Sequence, residues 1–116
     1  MKTAKELALM AARALSDKKG REIQVLEIGD LTTLADYFVI CSARNNRQSQ
    51  SIADNIEEQM EKNGYDVRHV EGYREGKWIL IDAGEVIAHV FVEQDRQYYD
   101  LENLWCDAPR IAYEGE

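Results

Sequence analysis

Residues 78–91 read WILIDAGEVIAHVF, two apolar runs joined by Asp-Ala-Gly-Glu. Runs this short, rich in isoleucine and valine and split by a glycine-bearing turn signal, predict two paired strands around a tight turn rather than a helix. That pairing commits this part of the chain to a sheet, so the remaining segments must supply further strands and a cover for them. Three side chains stand out within the hairpin: Trp78 at its opening, and Asp82 and His89 inside otherwise apolar text.

The flanking segments alternate between helical and strand patterns. Residues 3–17 predict a helix, because Thr3 and Glu6 have capping-box spacing, Leu7, Met10, Ala11, Ala14 and Leu15 share one face, and Gly20 follows as a stop. EIQVLEIG (22–29) and DYFVICSA (36–43) read as core strands separated by the polar link DLTTLA. NNRQSQSIADNIEEQMEKNG (45–64) predicts a second helix with Ile52, Ile56 and Met60 four residues apart and its acids on wetter faces. DVRHVEG is a short, half-exposed strand, and YREG turns the chain into the hairpin. DRQYYDLENLW (95–105) predicts one closing helix with Tyr98, Leu101 and Trp105 on one side. The order αββαβββα predicts a mixed α/β fold, a single mixed β-sheet with flanking helices. With 116 residues, the chain is expected to form one domain over residues 1–107, followed by an acidic tail, 108–116, that frays.

Fourteen basic against twenty-two acidic side chains give a formal charge of −8. Nucleic-acid binders gain affinity by neutralising phosphates with Lys and Arg, so this balance predicts little direct nucleic-acid contact and favours a basic protein partner. No run approaches the roughly 18 apolar residues that span a bilayer, which predicts a soluble protein with no membrane contact. The amino terminus has helically spaced hydrophobes rather than the unbroken apolar core of a secretory signal, which places the protein in the cytoplasm. Cys41 and Cys106, outside any CxxC pair, agree with a reducing compartment.

Candidate chemistry is sparse. His89 and Asp82 flank the turn as a general base and its orienting carboxylate would, but period two sets His89 beside Ile87 and Phe91, which favours a histidine satisfied in or beside the core. No Gly-x-Ser-x-Gly elbow supplies a nucleophile, and Cys41 has no basic neighbour in sequence. His69, His89, Cys41 and Cys106 lack ligand spacing, so no metal is expected, and Gly72 and Gly76 frame a turn rather than a phosphate-cradling loop, so no cofactor is expected either. Trp78 admits two readings: a half-exposed anchor for a protein partner, or a ring packed over the sheet edge.

DYFVICSARNNRQSQSIADNI, VEGYREGKWILIDAGEVIAHVF and RQYYDLENLW together resemble the ribosomal silencing factor, or Iojap-like, family over roughly residues 3–107. The resemblance implies a nucleotidyltransferase-like fold, no enzymatic activity, and frequent homodimers. It implies binding to the large ribosomal subunit through large-subunit ribosomal protein fourteen, on the face that meets the small subunit, so that subunits cannot join and translation falls when nutrients are scarce. The family motif falls on Trp78, Asp82, Gly84, Glu85 and His89, and in the closing helix on Arg96, Tyr99, Leu101, Glu102, Leu104 and Trp105. Members usually carry leucine where this chain has Ala83, which makes the expected partner contact smaller at that point. The expected docking set is therefore Trp78, Asp82, Ala83, Gly84, Glu85, His89 and Tyr99. The fold likeness also supplies a rival, a nucleotidyltransferase-like enzyme or nucleotide-binding protein. Such an enzyme needs paired carboxylates for magnesium, whereas the corresponding place reads Asp36-Tyr37-Phe38.

Overall fold

Two strands far apart in sequence meet side by side at the centre of the computed structural model, which describes residues 3–111. β2 (Tyr37–Ala43) runs parallel to β5 (Val86–Val92), in register from Tyr37↔Val86 to Ala43↔Val92. All seven residues of β2 are buried, as expected of a strand covered on both faces. Around this pair the sheet has the order β3-β4-β5-β2-β1-β6, with β1 (Arg21–Glu27), β3 (His69–Glu71), β4 (Trp78–Asp82) and β6 (Arg110–Ile111). Every pairing other than β2–β5 is antiparallel, so the sheet is mixed, as the alternating sequence pattern predicts.

Helices α1 (Ala4–Asp17) and α2 (Asn46–Lys62) cover one face. The Thr3 hydroxyl accepts the Glu6 backbone N–H at 3.2 Å, forming the predicted cap, and Ala8, Ala11, Ala12 and Ala14 let α1 approach closely. On α2, Ile52, Ile56 and Met60 are fully buried, and the Asn55 side chain donates to the Ala14 carbonyl at 2.9 Å, joining the two helices. Strand alternation feeds this main core with Val39, Cys41, Ile79, Ile81, Ala88 and Val90, while Leu26, Phe38, Ile40 and Phe91 point to the other face. There, α3 (Glu93–Tyr99) and the single turn α4 (Leu101–Leu104) cover only part of the sheet.

Two sequence expectations are corrected at the carboxyl end. The predicted single helix over 95–105 is broken at Asp100, which takes the left-handed conformation (φ 48°, ψ 50°) that Asp tolerates better than most residues. Consequently Tyr98 does not share a face with Leu101 and Trp105: it is 82% exposed, while Leu101 is buried and Trp105 half-buried. The start of the expected tail instead joins the fold. Ala108 is buried, and Arg110 and Ile111 pair with Leu26 and Val25 as a sixth strand, because β1 would otherwise leave its outer edge unpaired. Residues 112–116 lie outside the described residues.

The loop that delivers Trp78 is tied to α2. The Ser49 hydroxyl donates to the Gly76 carbonyl, Gln50 donates to the Tyr73 and Arg74 carbonyls at 2.8 and 3.2 Å, and the Tyr73 hydroxyl donates to Asp54 at 3.1 Å. Gly76 has φ +73°, and an added Cβ would lie 2.7 Å from Asn46 Cβ and 2.9 Å from the Asn46 carbonyl oxygen. Gly76→Ala therefore combines backbone strain with a clash and should cost roughly 2–3 kcal/mol in urea denaturation. Gly64→Ala, with φ +83° but nothing within 4 Å, meets the strain alone and should cost about 1 kcal/mol. Equal losses at the two sites would show that the close approach to α2 contributes nothing.

Candidate functional site

The half-covered face carries an aromatic cluster laid out by strand register. Trp78, Leu80 and Asp82 of β4 oppose Phe91, His89 and Ile87 of β5, and the parallel pairing sets Phe38 beside Ile87 and Ile40 beside His89. The Trp78 ring stacks on Phe91 with centroids 4.9 Å apart and meets Tyr99 at 4.7 Å. Phe38 lies edge-on to His89 at 4.6 Å and to Trp105 at 5.5 Å. Toward solvent, Tyr99 is 49% and Leu104 73% exposed, and Trp78 keeps part of its surface. Trp78 thus packs over the sheet and stays open on one side.

His89 is buried, and its Nδ1 accepts the Trp78 Nε1–H at 3.0 Å. A neutral imidazole that accepts at Nδ1 carries its proton on Nε2, and that atom is buried with no hydrogen-bond partner among the described residues. Burial lowers the His89 pKa from 6.5 to about 4, so the ring is neutral near pH 7. The bond holds the indole in one orientation and satisfies its polar edge, leaving the exposed part of Trp78 apolar.

Asp82 takes no part in this arrangement. Its Oδ1 accepts the Gly84 N–H at 2.8 Å, and its cross-strand neighbours are Ile87 and His69, so the general-base pair considered from sequence is not assembled. Gly84 has φ +87° at the first central position of the hairpin, as a type II′ turn demands, and the Arg68 guanidinium occupies the space that a Cβ would fill. Glu85 is exposed, with its backbone carbonyl accepting from the Asp36 and Tyr37 amides. Ala83 packs against the main core on the helix-covered side, away from the aromatic cluster.

Of the seven residues expected to dock a partner, Trp78, His89 and Tyr99 form one cluster. Asp82, Gly84 and Glu85 build the turn beside it, and Ala83 belongs to the other side. Phe91, Phe38 and Leu80 complete the face. Period-two alternation from Trp78 points to Leu80 and from His89 to Phe91, but nothing local brings α3 and α4 over that face. Phe38, where a nucleotidyltransferase would place its second carboxylate, is buried in the smaller core. Among the described residues no group of three or more His, Cys, Asp or Glu is placed to hold a metal ion. Burial pushes the Cys41 thiol up to about 12, as suits an inert core cysteine.

The geometry is that of a mixed sheet with one face under two helices and a second, aromatic face left half-covered. The profile of the family described as "Ribosomal silencing factor during starvation" matches residues 1–116. The chain is 42% identical over 105 residues to the ribosomal silencing factor of Bacillus subtilis, covering 90% of this chain and 89% of that one. It is 38% identical over 110 residues to that of Halalkalibacterium halodurans, covering 95% and 94%. A crystal structure of a Chromobacterium violaceum protein superposes with a TM-score of 0.89 at 31% identity, covering 99% of this chain and 95% of that one. The chain belongs to the ribosomal silencing factor family.

The buried imidazole gives a pH signature. An unfolded chain protonates His89 near its ordinary pKa of 6.5, whereas the folded one resists protonation until about 4. The stability that His89 contributes is complete above pH 6.5 and is lost as pH falls through that window, by about 3 kcal/mol if the whole shift is expressed. Urea midpoints measured from pH 7 to 4.5 should fall more steeply for the unmodified chain than for His89→Gln. Parallel curves would place the acid sensitivity elsewhere.

Proposed function

We propose that this protein acts as a ribosomal silencing factor in the cytoplasm. It docks on the large ribosomal subunit through large-subunit ribosomal protein fourteen and excludes the small subunit by occupying a surface that subunit needs. The observation that carries this reading is the half-covered aromatic face around Trp78 and Tyr99. Rigid aromatic side chains, packed from behind and open in front, are the usual anchors of protein interfaces. The formal charge of −8 supports the choice of a basic protein over bare RNA, since carboxylates repel phosphates but attract and steer a cationic surface. Such a mechanism is steric, with no bond made or broken. No helix among the described residues is long and apolar enough to cross a membrane, which accords with an encounter on free subunits.

A reassociation assay tests the reading directly. Saturating protein added to purified subunits should lower the yield of joined ribosomes, and an undiminished yield would refute the proposal. Trp78→Ala should weaken binding to isolated large subunits by on the order of 2 kcal/mol, measured well below the variant's melting temperature. A variant that melts earlier but binds with unchanged affinity would reduce Trp78 to a packing residue. Moderate salt should slow association while leaving dissociation nearly unchanged, because steering charges act over a Debye length of about 8–10 Å and apolar contacts do not.

A further inference from the structure

The half-buried ion pair beside the aromatic face joins residues that one continuous helix would keep apart. Arg96 donates through Nε and Nη2 to the two carboxylate oxygens of Glu102, at 3.1 and 2.8 Å. Residues six apart in an unbroken helix are separated by about 9 Å along the axis and roughly 120° around it, so their side chains leave on different sides. Here the left-handed Asp100 redirects the chain between them, and the fork closes across the break. The same guanidinium reaches the sheet, donating from Nη1 to the Ser42 hydroxyl at 2.9 Å and toward the Arg21 carbonyl at 3.4 Å.

Those two sheet contacts are not at random positions. Arg21, Ser42, Phe91 and Trp78 are cross-strand neighbours in one row through β1, β2, β5 and β4. Tyr99, one helical turn beyond Arg96, rests on Trp78 at the end of that row. Arg96 is 6% exposed, and it holds the Glu102 carboxyl below the usual carboxylate range through their hydrogen bonds. Glu102 is half-buried, and ion pairs partly withdrawn from water often contribute little to stability relative to apolar packing, because desolvation offsets their attraction; some instead specify one geometry.

We infer that Arg96 and Glu102 are positioning residues for the docking face: their pair holds the break at Asp100 and so sets Tyr99 against Trp78. This rests on the function proposed above, where Trp78 is the anchor. Tyr99 touches both the indole and the Phe91 ring beneath it, with centroids 4.7 and 6.2 Å away, and loss of the pair frees α3 and α4 to straighten or lift, leaving the anchor able to turn.

The test uses the full chain with Trp105→Phe, so that tryptophan emission reports Trp78 alone, and compares Glu102→Gln and Arg96→Lys with that parent. Dissociation is followed from immobilised large subunits. Both variants should dissociate about fivefold faster or more, with Trp78 emission shifted to the red and more readily quenched by acrylamide. Glu58→Gln, which removes an exposed i,i+4 pair on α2, should leave both readouts unchanged. A purely structural role lowers the folded fraction, and hence the amount bound, but not the dissociation rate of the molecules that do bind. Arg96→Lys keeps the charge and serves where Glu102→Gln does not fold. Parental dissociation rate and emission in a folded variant overturn the inference. If the unmodified chain fails to bind large subunits, the proposed function falls, and the clamp then stands or falls on the emission and quenching of Trp78.

Discussion

The parallel ladder between β2 and β5 is the contact on which the rest of the molecule depends. An antiparallel neighbour can be supplied by a short turn, but parallel strands need a crossover, and here it includes α2, β3 and β4. Closing the ladder lays α2 and α1 on one face and buries β2 from both sides. It also sets the register from which the other face follows. Phe38 falls beside Ile87, Ile40 beside His89 and Ser42 beside Phe91, and the β4–β5 hairpin extends each row outward to Asp82, Leu80 and Trp78. The position of the aromatic cluster is thus a consequence of one pairing.

The polar groups on that face are few, and most are used internally. The Trp78 N–H is satisfied by His89, and Asp82 by the Gly84 amide. A buried donor without a partner carries a desolvation penalty, which the Trp78 N–H escapes and the His89 Nε2–H, buried with no partner among the described residues, does not. Two buried ionisable side chains on that face, His89 and Arg96, take opposite courses. His89 has only apolar and aromatic neighbours and stays neutral, whereas Arg96 finds a carboxylate, a hydroxyl and a carbonyl and keeps its charge. Burial forces each to a single state, and the partners at hand decide which.

Local rules made much of this visible. The Thr3 cap, the Ile52-Ile56-Met60 stripe and the alternation of β2, β4 and β5 all arise from neighbours within a few residues and are read with little loss. The helical spacing of the closing segment continues through Asp100, so the break is not legible there; Arg96, which bonds Glu102 across the break and Ser42 on the sheet, and the buried Leu101 belong to the tertiary structure. The strand at Arg110 and Ile111 is not legible for a related reason. CDAPRI has little strand character of its own, yet the exposed edge of β1 takes up Arg110 and Ile111.

By itself, then, the sequence determined the element types from α1 to β5, the mixed sheet and the family, because caps, periodicities and a long run of matching motifs are written in local order. It also placed Trp78 and His89 on strands whose alternation sets the face each takes. Only the tertiary structure decided that these two share a hydrogen bond, that Asp82 turns to the hairpin backbone, and that Ala83 lies behind the sheet while Tyr99 closes over Trp78. Those outcomes depend on which strands lie side by side and in what register. That register is set by the burial of side chains more than forty residues apart, which no short window of sequence contains.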